Sequence, residues 1–364
     1  MASSFFFFMI RSVLAATGCC VPDIVVPNHA FLETRFFTST GTLIEQAPAK
    51  ILEQFQAITG IRERRYAQPA QTASDLGFLA AQDALVSSGI DPETLDYLIV
   101  AHNFGDVATG SNRVDLVPSL ASRIKAQLGI HNPNCVAYDL AFGCPGWLEG
   151  IIQANYYIRS GDARRCMVIG TETLSRVVDP HDRDTMLFSD GSGAVILEAS
   201  LTGTTGILAH QTQTHAHEYV GLLRMDKSYA PAHAESPDRF MKMQGRKLYE
   251  FALKQVPLVV KAALDKAKVP LTQVKKVLLH QANEKMDVAI LERLFQLYGE
   301  EHPGLELMPM TIGWLGNSSV ATIPTLLDLM LKGQLADQEL APGDTVVLAS
   351  VGAGMNINAV VYQF

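Results

Sequence analysis

Apolar residues fall along this chain in short runs that alternate with stretches of helical period. Residues 10–17 read as a first strand, and the region of about 28–60 as loop and helix closing on a charged turn, Thr59-Gly60-Ile61-Arg62-Glu63-Arg64-Arg65. Residues 72–88 repeat apolar positions at helical spacing, with Ser74 or Asp75 near the cap and Gly89 as the stop. A strand at 97–101, a polar glycine-containing loop at 104–117, a helix at 118–128 stopping at Gly129 and a strand at 135–140 come next. Gly143-Cys144-Pro145-Gly146 then opens a helix in which Trp147, Leu148, Ile151, Ile152, Asn155 and Ile158 recur on one period. Proline is best tolerated at the first helical position, which predicts Cys144 as the N-cap. The helix stops at Ser160-Gly161-Asp162 and a buried strand follows at 166–170. Gly191-Ser192-Gly193 runs into the strand AVILEA, so these glycines predict close backbone packing and not a dinucleotide turn. Residues 202–240 carry no clear period.

Beyond residue 240 the chain repeats its own order. Helix, Pro92-containing turn and apolar strand ending in His102 are matched by helix, Pro270-containing turn and strand ending in His280, at the same Pro-to-His spacing. Gly161-Asp162 before strand 166–170 is echoed by Gly343-Asp344 before 346–352. The Gly143-Cys144 helix start is echoed by Gly316-Asn317-Ser318-Ser319 before a helix at about 320–332. The repeat predicts two related α/β halves, 10–203 and 204–364. Packed about a pseudo-twofold axis, they would bring Asn317 toward Cys144, with His280 at the carboxyl end of its strand, where open α/β sheets place their sites.

Composition narrows the function. The chain has 364 residues, 48% hydrophobic and 18% charged, with a net charge of -8 and no basic run, which argues against nucleic-acid binding. Five cysteines form no CxxC pair, which predicts a reducing, cytoplasmic setting and a free thiol at 144. The N-terminal MASSFFFFMIRSVLAATGCCVP lacks a charged region ahead of its apolar run and is too short to span a membrane; residues 1–8 read as an extension before Met9. His210, His215 and His217 lack a Cys or carboxylate at ligand spacing and read as solvated loop residues, so no metal is expected.

Taken singly, Cys144 reads as a small core residue, His280 as a strand-end histidine and Asn317 as a helix cap. Jointly, at repeat-related positions, they suit acyl transfer. A thiolate at a helix start attacks an activated acyl group, backbone N–H groups stabilise the oxyanion, and His and Asn donors polarise a second acyl carbonyl.

The residues Thr59 to Arg64, Cys144-Pro145-Gly146, Asp179-Pro180-His181-Asp182-Arg183, Asp190-Gly191-Ser192-Gly193-Ala194, His280-Gln281-Ala282-Asn283, Gly316-Asn317-Ser318-Ser319 and Gly352-Ala353-Gly354 stand in an order that resembles the β-ketoacyl-acyl carrier protein synthase III family of thiolase-fold condensing enzymes. The resemblance covers about residue 10 to 364. It implies a five-layered αβαβα fold of two duplicated halves, a homodimer, no cofactor and no membrane span, with coenzyme A or acyl-carrier-protein thioesters as substrates and acyl carrier protein as partner. Cys144 would take the primer, His280 and Asn317 would bind the malonyl carbonyl during decarboxylation, and the backbone N–H groups of Cys144 and Ala353 would form the oxyanion hole. The family has glycine where Ala353 stands. Its adenine-stacking tryptophan falls at Gln54 or next to Phe55, opposite Arg183. Val117 takes the place of a bulkier phenylalanine at the acyl pocket, which predicts a primer longer than acetyl. A specialised ketosynthase joining longer chains and a papain-like Cys-His-Asn hydrolase are the other readings.

Overall fold

The computed structural model describes residues 10–364 except 202, 204, 302 and 303. The expected extension at residues 1–8 lies outside the described residues. Nine strands form the two main sheets: β1 Arg11–Cys20, β2 Tyr97–Ala101, β3 Val136–Leu140, β4 Arg165–Thr173, β5 Asp190–Ser200, β6 Gly206–Thr214, β7 Val274–Leu279, β8 Thr345–Gly352 and β9 Asn356–Gln363. The first sheet has the order β1-β5-β4-β2-β3, the second β6-β9-β8-β7. In the first, β2 runs parallel to β3 and β4, while β5 is antiparallel to β1 and β4. In the second, β7 is parallel to β8, and β9 is antiparallel to β6 and β8. The second sheet thus repeats four strands of the first, with no counterpart of β3 among the described residues.

The principal helices are α1 Pro48–Thr59, α2 Ala73–Ser88, α3 Leu120–Gln127, α4 Gly146–Ser160, α5 Gly245–Ala267, α6 Glu284–Gln296 and α7 Thr322–Leu331. Every residue of α7 from Thr322 to Met330 is buried, as expected of a helix that is apolar all round. One core cluster joins Trp147, Leu148 and Ile151 of α4 and Ile323, Leu326 and Leu327 of α7 to side chains of both sheets. Those two helices form the middle layer. Leu120 and Ile124 of α3, with Ala80 and Ala84 of α2, cover the outer face of the first sheet. Val256 and Val260 of α5, with Ile290 and Leu294 of α6, cover that of the second. The layers are therefore α, β, α, β, α. A β-carbon at Gly193 would stand 2.7 Å from Pro324 Cβ, so the glycine lets α7 press onto β5.

Several local expectations shift. Thr72 caps α2, exchanging hydrogen bonds with Asp75 in a capping box. The unpatterned region conceals β6, a polar strand paired only with β9. The charged turn at 59–65 is not a solvated one. Arg64 is fully buried and donates to the carbonyls of Met186 and Val26 and to Asn28 Oδ1, and burial brings its pKa down to about 10, so it stays charged at neutral pH. No helix among the described residues is long and apolar enough to cross a membrane.

Candidate active site

Cys144 lies one residue earlier than the sequence predicts. Gly146 N–H closes a turn on Gly143 O at 2.9 Å, so Pro145 is the N-cap of α4 and Cys144 stands just ahead of it. Gly143 has φ +68°, and a β-carbon there would be 2.7 Å from both Ala353 N and Ala353 O. Gly352 is equally close: its β-carbon would sit 2.5 Å from Cys144 N. The turn between β8 and β9 is thereby pressed onto the cysteine turn, which carries the Ala353 peptide to Cys144. Burial pushes the thiol up to about 11, although the Ser319 hydroxyl and the residue's own N–H act in the opposite direction.

His280 leaves β7, its N–H held by Ala349 O at 2.9 Å. Its Nδ1 faces Thr322 Oγ1 at 2.8 Å. Burial lowers its pKa to about 4, so the ring is neutral at physiological pH. Asn317 is not a helix cap, because α7 begins at Thr322 after a tight turn over Ser319–Ala321. It is fixed instead by its backbone, with N–H to Leu187 O at 3.0 Å and O accepting from Ser189 N at 2.9 Å. Its Oδ1 accepts from Ser319 N at 2.8 Å. The amide nitrogen has no protein partner among the described residues and lines a cavity. One segment, 317–322, joins the three. Ser319 adjoins Cys144, Asn317 begins the segment, and Thr322 holds His280.

Two cavities meet at Phe188, which lines both. The larger, about 340 Å³, runs from Gln54, Phe55 and Arg183 past Leu187 and Met286 to Asn317. The smaller, about 180 Å³, holds Cys144, Ala353 and Ser319 among Phe104, Leu174 and Met241. Val117 lines neither and is 86% exposed. Its loop folds back on itself, pairing Asp106–Val107 with Val114–Asp115, and Arg123 ties Asp106 and Asp115 together at 2.8 Å each. That leaves Val117 on the surface of the chain, outside both cavities and not at the acyl pocket where its small side chain was expected to leave room. Of the histidines read as solvated loop residues, His210 is buried on β6 and His215 bonds Gln213 Oε1. A Cys19, Asp83 and Asp328 cluster holds Lys332 within 2.9 Å of Asp328.

Sequence motifs turn out to be anchors. Asp179 of the 179–183 motif accepts from His181 N, Ser228 Oγ and Tyr229 N and pairs with Lys242, which places Arg183 on the cavity rim. Asp190 accepts from Ala67 N and Ser175. Gln281 accepts from Thr311 N, and Asn283 caps α6. Sequence reasoning missed Lys242, Phe188 and a trio of half-buried Asn103 with buried Glu172 and Ser319; only Ser319 carried a signal, inside the GNSS motif.

Comparison with known proteins gives the same family twice. A sequence profile described as 3-oxoacyl-[acyl-carrier-protein] synthase III matches residues 138–216, and its C-terminal counterpart matches residues 264–364. The chain is 33% identical over 357 residues to β-ketoacyl-[acyl-carrier-protein] synthase III 1 of Vibrio vulnificus, covering 97% of this chain and 99% of the relative. It is also 33% identical over 361 residues to the Paracoccus denitrificans synthase III, with 98% and 100% covered. Among solved structures, 3-oxoacyl-[acyl-carrier-protein] synthase III of Aquifex aeolicus superposes with a TM-score of 0.77 at 28% identity, over 97% of this chain and all of the other.

Proposed function

The chain belongs to the β-ketoacyl-[acyl-carrier-protein] synthase III family, and from that premise we propose that it condenses an acyl primer thioester with malonyl-acyl carrier protein, releasing carbon dioxide and a 3-oxoacyl-acyl carrier protein. Cys144 attacks the primer carbonyl and holds the acyl group as a thioester, while the N–H groups of Cys144 and Ala353 stabilise the tetrahedral oxyanion. Malonyl-acyl carrier protein then enters by the larger cavity. His280 and Asn317 donate to its thioester carbonyl, so the electron pair left by carbon dioxide is held as an enolate. Asn317 supplies its unpartnered amide N–H, and neutral His280 supplies Nε2–H once the Thr322 hydroxyl proton is turned toward Nδ1. The enolate attacks the acyl-Cys144 carbonyl and frees the thiolate. No step calls for a metal or redox cofactor.

The observation that carries this reading is the convergence of Cys144, His280 and Asn317 on the single segment 317–322. Incubating the protein with primer and malonyl-acyl carrier protein should yield carbon dioxide and 3-oxoacyl product, and Asn317→Ala should accumulate acyl-Cys144, visible by mass spectrometry. Release of free acid alone would instead identify a hydrolase.

The cavity beside Cys144 holds roughly six water volumes, more than acetyl fills, which favours a longer primer and keeps a specialised ketosynthase in view. Gln54 and Arg183 line the larger cavity without an aromatic stacking pair at Gln54, which leaves room for a carrier-protein primer as well as a coenzyme A one. Acylation across a chain-length series decides it, and a preference for acetyl-coenzyme A alone would overturn the longer primer. We take residues 10–203 and 204–364 as the two duplicated halves of the chain, and the protein as a cytoplasmic homodimer with acyl carrier protein as its partner.

A further inference from the structure

Behind the nucleophile lies a polar cluster that the condensation above does not use. Glu172, at the end of β4, is 1% exposed. Its Oε1 accepts from Asn103 N at 3.1 Å and also, at short range, from Asn103 Nδ2. The same amide nitrogen donates to Ser319 Oγ at 3.0 Å. The Ser319 hydroxyl is thus joined to the Glu172 carboxyl through the shared Asn103 amide, and it lines the smaller cavity together with the Cys144 thiol. Ser319 is itself held in the left-handed region, φ +53°, with its N–H on Asn317 Oδ1 at 2.8 Å. A non-glycine residue in that conformation is strained, and persists because its surroundings fix it.

The hydroxyl has one proton and can serve only one of its two neighbours at a time. Asn103 Nδ2 keeps one lone pair of Ser319 Oγ occupied, so the remaining pair and the hydroxyl proton lie between thiol and carboxyl. We propose that Glu172, acting through the Ser319 hydroxyl, accepts the Cys144 proton when the thiol attacks the primer and returns it when condensation frees the thiolate. The inference rests on the acyl-transfer reading given above.

The step balances. Cys144 Sγ forms its bond to the primer carbonyl carbon as its proton passes to Ser319 Oγ, and the Ser319 proton passes to Glu172. The carbonyl carbon's bond to the carrier sulfur breaks, and the electron pair leaves on the carrier thiolate, which takes a proton from solvent. Glu172 stays protonated through the acyl-enzyme stage. When the enolate attacks and Cys144 departs as thiolate, the proton runs back by the same path. Burial raises the Glu172 carboxyl to about 8, above its ordinary value and below the thiol at about 11, so it can take the proton only from its ionised form.

A relay and a bystander charge predict opposite signs. A buried carboxylate that only repels the thiolate would, on conversion to Gln, make Cys144 easier to ionise and faster to react. A relay would make it slower. In Glu172→Gln the side-chain oxygen still accepts from Asn103 and the new amide can still bond Ser319, so the cluster keeps its contacts while losing its base. The experiment measures Cys144 alkylation by iodoacetamide, and its acylation by a labelled primer thioester, from pH 6 to 10 in wild type, Glu172→Gln and Ser319→Ala, with circular dichroism of each variant. In the wild type both rates should rise with an inflection near pH 8. In both variants they should fall about 10²-fold at pH 8 and keep rising to the alkaline limit. Rates equal to or above wild type in Glu172→Gln overturn the relay. A wild type that alkylates normally but takes no acyl group from any primer thioester overturns the acyl-transfer reading, and with it the relay's role in catalysis. Should Ser319→Ala fail to fold, Glu172→Gln alone still decides by the direction of its change.

Discussion

Replacing Lys242 with Met should both destabilise the protein and weaken primer binding. Lys242 sits on the short strand Phe240–Met243, with its side chain fully buried. Its Nζ is 2.5 Å from Asp179 Oδ2, 3.0 Å from Asp182 Oδ2 and 3.3 Å from the centroid of the Tyr229 ring. Burial alone would push the Asp179 carboxyl up, but the ammonium and the N–H groups of Tyr229 and His181 outweigh it and hold the carboxyl below its usual range. Deleting one partner of such a pair leaves an uncompensated buried charge, which costs about 3–5 kcal/mol. Loss of the cation–π contact adds up to about 2 kcal/mol at so buried a site, and the three other donors that Asp179 keeps offset part of the total. A net loss of about 4 kcal/mol is a large share of ordinary stability and, for a chain of 364 residues, corresponds to a fall in Tm of roughly 5 °C. Asp182 caps the turn Arg183–Leu187, which leads to Phe188, so loosening the pair moves the wall of both cavities. KM for primer should rise several-fold with little change in kcat. Urea denaturation and steady-state kinetics measure the two effects. Asp179→Asn in the Lys242→Met background should recover part of the stability, because it removes the uncompensated charge while its one amide oxygen still accepts from His181 N and Ser228 Oγ, at the cost of the Tyr229 N–H bond to Oδ2. A loss under about 1 kcal/mol, or a double variant no better than the single, would refute the reasoning.

Two other outcomes follow from the site. Pro145→Ala restores an N–H at the start of α4, which favours the Cys144 thiolate, so alkylation at a fixed pH should quicken, by less than about tenfold given a helix-end contribution of about 0.3–1 kcal/mol. An unchanged rate would show that the helix end does not act on the thiol, and a cysteine inert in both proteins would count against its covalent role. His280 is held neutral down to about pH 4, whereas an unfolded histidine titrates near 6.5. Between those values the unfolded chain binds the extra proton, so stability falls as pH drops through the window, by about 3 kcal/mol at its acid end. His280→Gln should lose correspondingly less stability between pH 7 and 4.5. Parallel urea midpoints for the two proteins would show that the ring is not held neutral by burial.

What was legible in the sequence was whatever depended on local chain geometry. The strand at 97–101 was readable to the residue because its apolar run is bounded by a proline turn and by His102. The duplicated order was readable because Pro92 and His102, and Pro270 and His280, keep one spacing. β6 was not, since an edge strand paired on one side can carry His210, Gln211, Thr212 and Gln213 without an apolar alternation. Cys144 could be located, but its electrostatic surroundings could not: the helix start suggested a lowered pKa, and the depth of burial, invisible in sequence, raises it. Glu172, Asn103 and Ser319 come from three distant segments and meet only after the sheets stack. Lys242 lay in an unpatterned stretch, and nothing local marks a lysine that will be buried between two aspartates.

The duplication also explains why equivalent residues serve different ends. His102 and His280 end equivalent strands, β2 and β7, yet their ring nitrogens are engaged differently. His102 Nε2 pairs with Asp139 Oδ2 at 2.9 Å, and its Nδ1 accepts from Gly105 N at 2.9 Å, so both ring nitrogens are occupied. Asp139 belongs to β3 and also accepts from Leu120 N and Ala121 N, fixing the start of α3. In the second sheet β7 is the edge strand, with no β3 counterpart beside it among the described residues. His280 Nδ1 turns to Thr322, and among the described residues Nε2 has no hydrogen-bond partner. Among the described residues, then, the strand-end histidine of the first sheet is tied to a neighbouring strand and its counterpart in the second sheet keeps one nitrogen without a partner. Cys144 and Asn317 diverge from equivalent turns in the same way: one is pressed against the β8–β9 turn, and the other is bridged to Leu187 and Ser189 with its amide nitrogen left over. The site is asymmetric because the two halves share a topology but not the neighbours that would satisfy the same side chains.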